Sequence, residues 1–88
     1  MISKKIETLL YESLDISKLE IIDDSHKHQN HSQSSGGHFN LTIVSDNFIS
    51  KSLIERHRMV YKILDKMIQK EIHALSINAK TSDEYSKL

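Results

Sequence analysis

Residues 50–79 read SKSLIERHRMVYKILDKMIQKEIHALSINA, and a change of period inside them decides the fold. Through most of the stretch Leu53, Ile54, His57, Val60, Tyr61, Leu64, Met67 and Ile68 recur at i, i+3, i+4 and i+7, the stripe of an amphipathic helix with its apolar side buried. Glu55, Arg56, Arg58, Lys62, Asp65 and Lys66 fall opposite, and Ser50 or Ser52 can start the helix. After Glu71 the period drops to two. His73, Leu75, Ile77 and Ala79 then share one face of a strand, and Ala74, Ser76 and Asn78 the other.

Working upstream, residues 38–45 (HFNLTIVS) show the same period, with Phe39, Leu41 and Ile43 alternating with Asn40, Thr42 and Val44. Ser45, Asp46 and Asn47 are turn formers that separate this strand from the helix. Residues 18–23 are short and rich in β-branched side chains, so they predict a first strand joined to residues 38–45 by a long hairpin connection. At the N-terminus Ile2, Ile6, Leu9, Leu10 and Leu14 predict a helix over 2–14, with Ser3 as its cap and Asp15 at its end. The order is α-β-β-α-β. It predicts a single α+β domain over residues 1–88, with two helices on one face of a three-stranded mixed sheet. Residues 24–37 are expected to be a flexible histidine-rich hairpin loop, and residues 81–88 a frayed polar tail.

Eighty-eight residues bury one core and leave no room for an enclosed substrate cleft, so a self-contained enzyme is not expected. Twelve basic and twelve acidic residues cancel, and no global field draws the chain to nucleic acid or to an anionic membrane. No run approaches the ~20 apolar residues of a membrane span, and a cytoplasmic protein without membrane contact is expected. Cysteine is absent, which removes disulfides, thiolate nucleophiles and self-sufficient iron–sulfur ligation. Metal chemistry would have to use histidine, carboxylate or a partner's thiols.

Residues 23–39 (DDSHKHQNHSQSSGGHF) carry His26, His28, His31 and His38, four of the six histidines. The predicted topology gives this concentration a neighbour. The second strand runs away from the loop and the long helix carries the chain back, so the third strand starts at the end where the second began. His73 therefore falls beside the histidine loop. Two imidazoles, one from the loop and one from the strand, suit a transition metal or one iron of a cluster, but they leave a tetrahedral site incomplete. The other ligands would come from a partner, from water or from further loop histidines. Zinc or copper binding by the loop alone, through His26, His28 and His31, is an alternative, as is a solvated and chemically idle loop. His38 opens a strand and has an equally good structural reading. His57 lies on the predicted buried stripe, away from His73, where a core or capping role is expected. A competing site lies in KSLIERHR: Lys51, Arg56 and Arg58 cluster in the first turns of the long helix, where cations beside free N–H groups can hold a phosphate. Glu55 stands among them and no aromatic platform accompanies them.

These residues resemble the signature of BolA-like proteins. SKSLIERHRMVYKIL followed by IHALSINAKTSDE is similar to that family from Phe48 through Glu84, and DDSHKH with HF matches upstream. The resemblance implies a fold related to the type II KH domain. It also implies a partner, a monothiol glutaredoxin, with which the chain would form a heterodimer sharing a [2Fe-2S] cluster in iron–sulfur trafficking or iron regulation. The cluster's remaining ligands would be the glutaredoxin's cysteine and glutathione, and the isolated chain would be a monomer with nothing bound. Some bacterial members are described as transcriptional or morphology regulators, which keeps DNA as a possible partner. The family's C-terminal histidine ligand falls on His73, and its loop ligand falls on His28, downstream of Asp24 and Ser25. Two positions depart from the family pattern: Ser50 stands where a glycine is usual, and Ser82 where a proline is usual. The Gly-x-x-Gly loop with which KH domains grip nucleic acid is absent.

Overall fold

The computed structural model describes residues 2–25 and 37–88, and its centre is β2 (Gly37–Ser45). Strict alternation buries Phe39, Leu41 and Ile43 on one face of this strand and turns His38, Asn40 and Thr42 to the other. β1 (Ile16–Asp23) pairs antiparallel along one side of β2, and β3 (Ile72–Lys80) pairs parallel along the other, giving the order β1-β2-β3. The parallel pair requires a crossover, and α2 (Leu53–Ile63) supplies it. α1 (Ile2–Ser13) lays Ile6 and Leu10 on the same core, where both are fully buried beside Leu41, Ile43, Phe48, Val60 and Leu64. Each such side chain contributes about 1.5–3 kcal/mol when removed from water. The α+β class and the mixed three-stranded sheet agree with the sequence reading. Among the described residues no helix is long and apolar enough to cross a membrane.

The turn after β2 is tied by side chains. Ser45 Oγ accepts from the Asn47 N–H at 3.1 Å, and Asn47 Oδ1 accepts from the Asp15 N–H at 2.8 Å, which fixes the start of β1 to the end of β2. A short 3-10 turn (Asp46–Phe48) then buries Phe48, and Ser50 takes φ 66 in the left-handed region. Ser52, one of the two predicted starts, caps α2. Its hydroxyl accepts from the Glu55 N–H, while the Glu55 carboxylate accepts from the Ser52 N–H. At the N-terminus Ser3 lies inside α1, not at its cap, because the helix already runs from Ile2.

Three further expectations are corrected. First, α2 is shorter and turned relative to the predicted stripe. It ends at Ile63, and turns with Gln69 at φ 70 lead into β3, because the chain has to reverse to pair parallel with β2. Its inward residues are Arg56 and Val60, continued past its end by Leu64 and Met67, with Met59 and Ile63 half-buried, whereas Leu53 (71% exposed), Ile54 (65%), His57 and Tyr61 face water. Second, His57 therefore has no core role. Third, the expected frayed tail is ordered: α3 (Ser82–Ser86) is capped by Thr81, which is buried and exchanges hydrogen bonds with Glu84 as Ser52 does with Glu55. The Ser82 N–H donates to Asp46 Oδ1 at 2.9 Å, a bond that a proline at this position could not make. Residues 26–36 of the expected histidine loop, with His26, His28 and His31, lie outside the described residues.

Candidate functional site

β2 and β3 begin at the same end of the sheet, and this brings His38 and His73 together. Their ring centroids are 5.3 Å apart, with the planes tilted by 47°. The pairing shows how. Gly37 pairs with Ile72 and His38 with Ala74, so β3 spends one extra residue, His73, between two consecutive positions of β2. Such a bulge re-aims a side chain, and here it displays His73 at the surface when strict alternation would have placed it on the core face with Leu75, Ile77 and Ala79. The irregularity has a trace in the sequence. Buried Ile72 and core-packed Leu75 are three residues apart, which period two cannot accommodate.

His38 is held by its backbone on both sides. Its N–H donates to Ser25 Oγ at 3.0 Å, and its carbonyl accepts from the Asp24 N–H at 2.7 Å. Ser25 is itself placed by Asp23, whose Oδ1 accepts the Ser25 N–H at 2.9 Å. Gly37 donates to the Glu71 carbonyl at 2.8 Å. A Cβ at Gly37 would collide with the buried Phe39 ring and come within 2.8 Å of Ser25 Oγ, so the approach of these segments depends on the missing side chain. Ser25, His38 and His73 thus stand at one end of the sheet. The topology argument placed His73 beside the histidine loop, and of the four histidines in residues 23–39 the structure describes His38; His26, His28 and His31 lie outside the described residues.

Among the described residues no group of three or more His, Cys, Asp or Glu can hold a metal ion. The two imidazoles present fit half of a site. A [2Fe-2S] cluster takes two ligands at each iron, and paired histidines serve one iron where the other keeps thiolates. With no cysteine in the chain, thiolates would have to come from outside it.

The predicted phosphate-binding cluster is not assembled. Arg56 is buried (6% exposed) and its side chain is bonded on every nitrogen: Nε donates to the Lys51 carbonyl at 3.0 Å, Nη1 to the Ala79 carbonyl at 3.0 Å, and Nη1 and Nη2 to the two Glu84 oxygens at 2.7 and 3.1 Å. This fork ties α2, the end of β3 and α3 together. The hydrogen bonds from Arg56, followed by that from the Thr81 N–H, hold the Glu84 carboxyl down at about 2. Arg56 is a structural residue that commits four of its five N–H donors inside the fold. Lys51 and Arg58 remain exposed, but the Glu55 carboxylate lies within their field; the Ser52 backbone N–H holds it below the usual carboxylate range, with weaker help from Lys51 and Arg58. Beside them the exposed side of α2 presents Leu53, Ile54, His57 and Tyr61, and the Tyr61 hydroxyl reaches the Leu75 carbonyl of β3 at 3.5 Å. Sequence reasoning assigned this apolar face to the core.

The fold is a small α+β domain with two histidine rings side by side at one end of a mixed sheet. The chain belongs to the BolA-like protein family: residues 10–84 match the family model described as BolA-like protein. A BolA-like protein of Dictyostelium discoideum is 41% identical over 98% of this chain and 75% of its own length. The protein named DNA-binding transcriptional regulator BolA in Escherichia coli is 34% identical over 100% of this chain and 83% of its own. Among solved structures, the BolA domain of SufE1 from Arabidopsis thaliana superposes with a TM-score of 0.83 at 44% identity, covering 92% of each chain.

Proposed function

We propose that this protein is a cytoplasmic accessory protein, not an enzyme, that binds a monothiol glutaredoxin and supplies histidine to a shared [2Fe-2S] cluster in iron–sulfur trafficking or iron regulation. The observation that carries the reading is the display of His73 on a strand bulge, with a second imidazole ring 5.3 Å away, in a chain without cysteine. His73 and a second histidine at this end of the sheet would be half of a mixed-ligand site, completed when the glutaredoxin brings its cysteine and glutathione. Family resemblance assigns the second histidine to His28. Exposed Leu53, Ile54 and Tyr61 give a partner apolar surface to cover, since Tyr61 adjoins β3 two residues beyond His73. Histidine in place of thiolate at one iron raises the cluster's potential and makes its stability respond to protonation near neutral pH. Adding the protein to cluster-loaded glutaredoxin should change the visible absorption and circular dichroism. Persistence of that change in a His28→Ala, His73→Ala double variant would refute the histidine ligation.

The name of the Escherichia coli relative supports a second reading, a DNA- or RNA-binding regulator. It now depends on Lys51 and Arg58, because Arg56 is consumed inside the fold. Binding by this route would weaken steeply with salt and fall further on Arg58→Glu. A flat salt response would remove it.

A further inference from the structure

We propose that His38 and His73 form a ligand pair, binding one transition-metal ion in the isolated chain and one iron of the shared cluster in the complex, so that His38 takes the position assigned above to His28. The second half of this proposal rests on the glutaredoxin reading; the first does not. The spacing of the rings is compatible with a common metal. A metal–nitrogen bond of about 2.0–2.1 Å plus about 1.1 Å to the ring centre puts each centroid about 3.2 Å from the metal, and a tetrahedral angle then separates two centroids by about 5.2 Å. The observed separation is 5.3 Å.

The rings are also carried by backbone that is already fixed. His38 sits on the central strand, with its N–H and carbonyl both bonded across to Ser25 and Asp24, and His73 sits on the bulge that the pairing with β2 enforces. Ligands fixed before the metal arrives spend little ordering entropy on binding it. His38 is half-buried and His73 exposed. Neither side chain belongs to the core.

The test uses the full chain with His26, His28 and His31 all replaced by alanine, and Zn2+ as the probe. Ring nitrogen signals of His38 and His73 should move together along one saturation curve while those of His57 stay in place. His38→Ala or His38→Gln in that background should weaken binding at least about tenfold, the loss that even a residue behind a ligand can cause. Far-UV circular dichroism checks that each variant folds. No coordinated movement in the triple variant, or undiminished binding after His38→Ala and His38→Gln, overturns the pair. In the glutaredoxin complex, pulsed electron paramagnetic resonance of the reduced cluster should count two histidine nitrogens in the triple variant and one in His38→Ala. Two in His38→Ala and one in His28→Ala would return the second position to His28 and leave the glutaredoxin reading intact. A chain that forms no complex refutes that reading, while the Zn2+ measurement still decides the pair.

Discussion

At Ser50 the backbone takes φ 66, an angle that glycine adopts freely and that costs other residues about 1–2 kcal/mol. The family pattern has glycine there, so Ser50→Gly should raise stability by about 1 kcal/mol, seen as a higher denaturant midpoint with an unchanged slope. Arg56 makes the opposite case. Arg56→Ala removes four hydrogen bonds and should cost about 1.5–3 kcal/mol, the range for bonds to charged groups. The pair with Glu84 also predicts a pH dependence. The Glu84 carboxyl is held at about 2 when folded, against its ordinary 4.5. The folded state thus binds the proton less readily than the unfolded one, and the stabilisation is complete above 4.5 and lost as pH falls toward 2. Thermal melts of wild type and Glu84→Gln should converge across that window; curves that stay parallel would show that the ion pair contributes nothing.

The elements show what one sequence can and cannot disclose. The alternation of Phe39, Leu41 and Ile43 gave β2 and its buried face directly, whereas the start of α2 stayed open between Ser50 and Ser52 until the capping box of Ser52 with Glu55 decided it. Thr81 and Glu84 carry the same capping signature, and they explain why a polar tail folds as α3. Helix α2 was harder because it has apolar residues on two sides. The sheet takes the side holding Val60, Leu64 and Met67, and leaves Leu53, Ile54 and Tyr61 to water. The helix is turned by one residue position, about 100°, so that Arg56 faces inward where His57 was expected. The reason lies 28 residues away, at Glu84, beyond the reach of local periodicity. Two substitutions separate the faces. Leu53→Ser should change stability by no more than about 0.5 kcal/mol, whereas Leu64→Ala should cost about 2–5 kcal/mol in the same assay.

For the whole molecule, topology carried more functional information than any motif read alone. Antiparallel β1 and β2, with a crossover to a parallel β3, return the chain to the end of the sheet where the histidine-rich stretch meets β2, and His73 emerges there. That much was readable from the order of periods. The bulge that aims His73, and the closeness of its ring to His38, come from pairing register, which the sequence carries only as the irregular spacing of Ile72 and Leu75. Zero net charge and the engagement of Arg56 argue against a nucleic-acid footprint as the main surface. The absence of cysteine makes any cluster a shared one. The most direct test is a titration of cluster-loaded monothiol glutaredoxin with wild type and with His73→Ala, followed by visible circular dichroism. Our account predicts a new spectrum saturating at one chain per glutaredoxin for wild type and its loss for His73→Ala; the same spectrum from both proteins would contradict it.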